Sequence, residues 1–151
     1  HQIQIDIGKI CTEVVSNPEE SLIIKREREL DDNGEPKPKL VDLLRMLKHP
    51  DIKVRELVML SAVLVFKDIC PSYRIRVLEK DEKETQLKKQ TKKLRDFETA
   101  LLKAYELYLK YLNKAISIAF NKSTKMITDW TGDIKLGLSA LRCQCELLRT
   151  L

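Results

Sequence analysis

Apolar residues recur along this chain at steps of three and four, the spacing of one face of a helix. Ile3, Ile7, Ile10, Cys11, Val14 and Val15 form the first such stripe and predict a helix over about 3–15. Asn17-Pro18-Glu19-Glu20 reads as a fresh start. Asn17 can cap, Pro18 suits the first helical position, and both glutamates face the positive end of the dipole. That helix is expected over 18–31, burying Leu22 and Ile23, until Asn33-Gly34 ends it ahead of Pro36 and Pro38. Leu40, Leu43, Leu44 and Leu47 then mark a short helix over 39–48. His49-Pro50-Asp51 breaks it, with Asp51 placed as the cap of a longer helix over 52–70 that halts at Pro71.

The second half has the strongest periodicity. Leu94, Phe97, Leu101, Tyr105, Tyr108, Leu112 and Ile116 repeat on one face, widened by Leu102, Leu109 and Ala115. A polar connection follows over 121–132. Ile134, Leu138, Leu141, Cys145 and Leu148 then predict a last amphipathic helix with that stripe inward. The organisation expected is helical hairpins over 1–71, a basic linker over 72–95 leading into a long helix, and a long helix plus a following helix over 94–151. A short helix, a Pro-Asp turn and a longer helix opening at Val54-Arg55 resemble a HEAT/armadillo unit, although an ordinary helical hairpin has the same outline. The fold class expected is therefore all-α, as a HEAT/armadillo-like helical-repeat (α-solenoid) fragment. The chain opens on His1 rather than Met, and Leu147, Leu148 and Leu151 still want a partner where it stops, as in a truncated solenoid.

Composition narrows the classes. Nine glycines and prolines among 151 residues leave few turns, which disfavours a many-stranded sandwich or barrel. The longest apolar run, Leu57 to Phe66, is too short for a membrane span, and no signal peptide is visible at the start. Four scattered cysteines make no disulfide framework, and reduced structural thiols are expected. Cys143-x-Cys145 has no second pair to complete a zinc site, and the two histidines, His1 and His49, support neither metal binding nor a general base. Phosphate loops and hydrolase motifs are absent. No enzyme, cofactor, metal or small-molecule substrate is expected, and the many carboxylates, interleaved with Lys and Arg, read as a solvated helix surface.

Charge changes the picture in one place. The net charge of +5 is carried entirely by residues 72–95, which hold nine basic and four acidic side chains. Lys88, Lys89, Lys92 and Lys93 project to one side if helical, with Arg95 next to them. Arg74 and Arg76 alternate on an extended segment beside Tyr73. Arginine forks grip phosphate and tyrosine stacks on a base, so these residues are a candidate RNA contact. Two other readings stay open: a solvated helix face, and a Tyr73–Arg76 peptide docked against a protein neighbour.

Particular motifs also resemble a known family. Phe66-Lys67-Asp68-Ile69-Cys70-Pro71-Ser72-Tyr73-Arg74-Ile75-Arg76 is similar to the stretch FKDI-x-P-x-Y-K/R-IR of nucleolar complex-associated protein 3. At the corresponding distance, Lys92-Lys93-Leu94-Arg95-Asp96-Phe97-Glu98 resembles that family's KLR-D/E/N-FE segment. Tyr105, Tyr108 and Leu109-Lys110-Tyr111-Leu112 resemble its Y-x-x-Y-L-x-x-L run, Val54-Arg55 through Leu57 its VR-K/E-L start, and Cys145-Glu146-Leu147-Leu148 its CELL. The likeness spans roughly residues 15–151 and departs at the 30–40 linker, with its Pro-x-Pro, and at the 117–133 connection. It implies a non-catalytic assembly factor of the large ribosomal subunit, in the nucleolus and nucleoplasm. The partners it implies are the companion nucleolar complex protein 2, other pre-60S factors and pre-rRNA. An alternative role attributed to the family is a chromatin adaptor in replication licensing, associated with the origin recognition and MCM complexes. A nuclear-transport-type HEAT receptor is a third possibility and would need many more repeats.

Overall fold

The computed structural model describes residues 2–22, 38–72, 89–123 and 132–150, and among them every regular element is helical. α1 spans Gln2–Ser16 and α2 Pro18–Leu22. The Asn17 peptide joins them without a break, its N–H donating to the Glu13 carbonyl at 3.0 Å and its carbonyl accepting from the Ser21 N–H at 3.1 Å. The 23–31 part of the helix expected over 18–31 lies outside the described residues. α3 spans Lys39–Arg45 and tightens into a 3-10 turn over Met46–Lys48.

α4, Ile52–Ile69, begins where the sequence says it must. The Asp51 carboxylate accepts from the Lys53 N–H at 2.9 Å, and the Asp51 N–H donates to His49 Nδ1 at 3.1 Å. One otherwise orphaned donor of the first turn is thereby satisfied. A 3-10 turn over Cys70–Ser72 follows. α5 is a long helix, Lys89–Ser123, and α6 spans Gly132–Thr150.

The core is one cluster that runs through all of these elements. α4 packs on α1, α3 and α6 and meets α5 through the Phe66, Tyr105 and Tyr108 rings. Residue pairings give the directions. Met59 meets Tyr108 while Phe66 meets Tyr105, so α4 and α5 are antiparallel. Glu56 meets Ser139 while Lys67 meets Glu146, so α4 and α6 run the same way. The Lys39–Glu13 ion pair ties α3 to α1 at the surface.

The α5 stripe is buried much as its spacing predicts, through Phe97, Leu101, Ala104, Tyr108, Leu112 and Ala115, although Leu94 stands 41% exposed. α6 differs. Its inward face is Leu136, Ala140, Cys143 and Leu147, with Gly137 and Ser139 beside them. The expected inward stripe faces out, with Leu138, Leu141 and Leu148 at 49%, 48% and 83% exposure. The reason is steric: a Cβ built on Gly137 would overlap the Ala119 Cβ and sit 3.1 Å from the Ala115 carbonyl oxygen. Small residues let the two helices approach more closely than a leucine seam allows.

Candidate functional site

Of the residues expected to make the basic contact, Tyr73, Arg74, Arg76 and Lys88 lie outside the described residues. Lys89 opens α5. Lys92 and Lys93 are exposed where the first turn of α5 passes into the second, and Arg95 is half-buried two residues before the fully enclosed Phe97. Lys92 and Lys93 thus carry their ammonium groups to solvent on a helix whose next turns anchor it to the core.

The polar and aromatic groups of the interior form a junction between α4, α5 and α6. The Tyr108 hydroxyl donates to the Met59 carbonyl at 2.7 Å. Its ring lies 5.2 Å from that of Phe66 at 29°, and Tyr105 meets Phe66 edge-on at 5.4 Å. Burial, reinforced by the neighbouring Cys143, holds the Tyr108 phenol far above its ordinary range. The Ser139 hydroxyl donates to Glu56 at 2.8 Å, and Lys135 approaches the other oxygen of the same carboxylate at 3.5 Å. Lys67 and Glu146 pair at 3.0 Å, and the Lys67 hydrogen bond and charge draw the Glu146 carboxyl below its usual value. These pairings pin one helix to another. Among the described residues no group of His, Cys, Asp and Glu side chains could hold a metal ion.

All four cysteines are free thiols, with Cys70 and Cys143 buried and Cys145 exposed. Burial pushes the Cys70 thiol up to about 11 from an ordinary 9.0. Between those values the unfolded chain has lost the proton and the folded chain has kept it, so stability falls as pH rises. Urea midpoints measured at pH 8 and near pH 10.5 are expected to drop, and Cys70→Ala is expected to lose part of that drop. An unchanged pH dependence in the variant contradicts the assignment to Cys70.

Among the described residues, two of the surface concavities stand out for their lining. A groove of about 550 Å³ runs between α1 and α4, lined by Ile7, Gly8, Cys11, Val15, Leu57 and Leu64. A cleft of about 460 Å³ lies where α5 and α6 meet the 3-10 turn and the start of α4. Its apolar walls are Leu47, Leu107, Ile118 and Leu136, and Lys48, Arg55, Lys110 and Lys114 are its charged lining. Arg55 Nε is buried there and has no hydrogen-bond partner among the described residues. Sequence reasoning missed this cleft because its cations come from three separated segments; only the Lys110–Lys114 spacing placed two of them on one face. No helix among the described residues is long and apolar enough to cross a membrane.

Comparison with known proteins matches residues 2–108 to the family described as Nucleolar complex-associated protein. A Nucleolar complex protein 3 homolog of Danio rerio is 41% identical over 116 residues, covering 73% of this chain and 14% of that protein. The Cricetulus griseus homolog is 34% identical over 151 residues, 96% of this chain and 17% of that protein. The Nucleolar complex-associated protein 3 of Schizosaccharomyces pombe is 28% identical over 152 residues, 97% of this chain and 20% of that protein. The chain therefore spans a fifth or less of the length of these relatives.

Proposed function

This chain belongs to the nucleolar complex-associated protein family, and we propose that it serves as a non-catalytic helical scaffold in nucleolar assembly of the large ribosomal subunit. The observation that carries this reading is the family match over residues 2–108, with similarity to the Cricetulus griseus relative over 96% of the chain. A scaffolding role suits the chemistry: the described acidic groups Glu56 and Glu146 are engaged in helix-to-helix pairing. The α3–α4 pair acts as one HEAT-like unit of a longer solenoid. Support for this comes from the outer face of α6, where Leu138, Leu141 and Leu148 form an apolar stripe of the kind that a following helix covers.

Residues 72–95 are the polar contact of this scaffold. Tyr73, Arg74, Arg76, Lys88, Lys89, Lys92, Lys93 and Arg95 meet pre-rRNA, and the helical faces meet the companion nucleolar complex protein 2 and other pre-60S factors. The full-length protein then accompanies particles from nucleolus to nucleoplasm. The test is affinity purification of the tagged full-length protein from nuclear extract. Pre-60S factors and ribosomal RNA precursors are the expected co-purifying species, and their absence, above all with origin-bound proteins in their place, overturns the reading. Reversal of Arg74, Arg76, Lys88, Lys89, Lys92 and Lys93 to Glu is expected to reduce precursor RNA retention. It is also expected to flatten the salt dependence by about 0.7 for each phosphate no longer neutralised. Unchanged RNA retention with a lost protein partner assigns the segment to protein docking instead.

A further inference from the structure

The cleft between α5, α6 and the start of α4 combines an apolar floor with a one-signed charged lining. Its floor is aliphatic, with Leu47 and Leu136 buried, while its charged lining is wholly cationic. Within it, the Arg55 guanidinium has its Nε enclosed with no acceptor among the described residues, although Glu56 beside it in sequence is taken by Ser139 and Lys135. One enclosed N–H of a half-buried guanidinium left without an acceptor is costly to maintain. Arginine's planar fork matches a carboxylate with two parallel hydrogen bonds. Lys110 and Lys114, one turn apart on α5 and both exposed, add attraction at the mouth.

We infer that this cleft is a docking site for an acidic linear segment of a partner protein. An apolar side chain of the segment seats on Leu47 and Leu136, and an adjacent aspartate or glutamate closes on Arg55 while further carboxylates lie along Lys48, Lys110 and Lys114. The volume of about 460 Å³ suits one or two side chains rather than a folded surface. Charge complementarity favours an acidic occupant, since no carboxylate lines the cleft among the described residues. The aliphatic floor favours a peptide over single-stranded nucleic acid, which needs aromatic platforms for its bases; Tyr111 is the one aromatic residue in the lining. The cleft's lining shares no residue with 72–95, and its chemistry would select such a segment whether or not the particle is ribosomal.

The experiment pans the full chain against short random peptides displayed on phage, then measures a fluorescein-labelled consensus peptide by anisotropy. Enrichment of an apolar residue beside Asp or Glu is expected. Arg55→Met is expected to weaken the consensus peptide by about tenfold or more, and the exposed pair Lys110→Glu with Lys114→Glu is expected to weaken it most at low salt. Circular dichroism checks that each variant keeps its helices, and the lysine pair decides the matter if Arg55→Met does not fold. Peptides without acidic enrichment, or affinity unchanged in the folded variants, overturn the assignment. A uridine oligonucleotide that displaces the peptide and is lost in the same variants also overturns it, reassigning the cleft to nucleic acid.

Discussion

Tyr108→Ala is expected to lower the unfolding free energy by about 3–5 kcal/mol, a large part of the roughly 5–15 kcal/mol typical of a domain. The ring is fully enclosed at the meeting of three helices, stacked on Phe66 and bonded through its hydroxyl to the Met59 carbonyl. Removing it leaves a void bordered by α4, α5 and α6, and its cost is set by how far these helices can collapse on it. Tyr108→Phe separates the two contributions. It keeps the ring and deletes one hydrogen bond to a carbonyl that already serves the ladder of α4, so about 1 kcal/mol is expected. Equilibrium denaturation of the two variants measures the split, and equal losses would place the value of Tyr108 in its hydroxyl instead of its packing.

Gly137→Ala is expected to destabilise the fold by about 1–3 kcal/mol, although alanine gains about 1 kcal/mol over glycine in helix propensity. Sterics win here because the atoms met are anchored to backbone: the Ala119 Cβ and the Ala115 carbonyl oxygen at 3.1 Å. Neither can rotate away, so α5 and α6 must separate. Ala119→Gly in the same chain is expected to return most of the loss, and a double-mutant cycle reads the coupling. Gly8 supplies the opposite sign. A Cβ there meets nothing within 4 Å, so Gly8→Ala is expected to stabilise α1 by about 0.5–1 kcal/mol. If both substitutions shift stability the same way, close approach at Gly137 is not the deciding contact.

Where the chain announces its elements locally, the sequence was legible. Pro50-Asp51 sets the start of α4, and the spacing from Phe97 to Leu112 sets the inward face of α5. The face of α6 was not legible. Leu138, Leu141 and Leu148 outrank Gly137, Ala140 and Cys143 in hydrophobicity, so periodicity alone turns the leucines inward. The helix is oriented instead by how near α5 lies, a property of the pair. Candidate sites divide in the same way. The basic residues of 72–95 are contiguous and stand out by charge, whereas Lys48, Arg55 and Lys110 share a cleft only after three helices have packed. Catalytic chemistry had no spacing signal at all, and family identity rested on word-like motifs such as the one from Phe66 to Arg76.

The parallel placement of α6 against α4 has a consequence for how the chain is made. α5 and α6 are joined by a short connection and can associate as soon as both have formed. α4 gains its α6 contacts only across long separations, 79 positions for Lys67 and Glu146 and 84 for Met59 and Cys143. Closing a loop of that length instead of one near ten residues costs about 2 kcal/mol more, at roughly 0.6 kcal/mol per doubling. On a ribosome adding about 5–20 residues each second, the inner face of α4 waits on the order of 4–16 s for its cover. Tyr105 and Tyr108 of α5 reach Phe66 and Met59 earlier in synthesis, so what stays uncovered on the nascent chain throughout that interval is the side of α4 that α6 later covers.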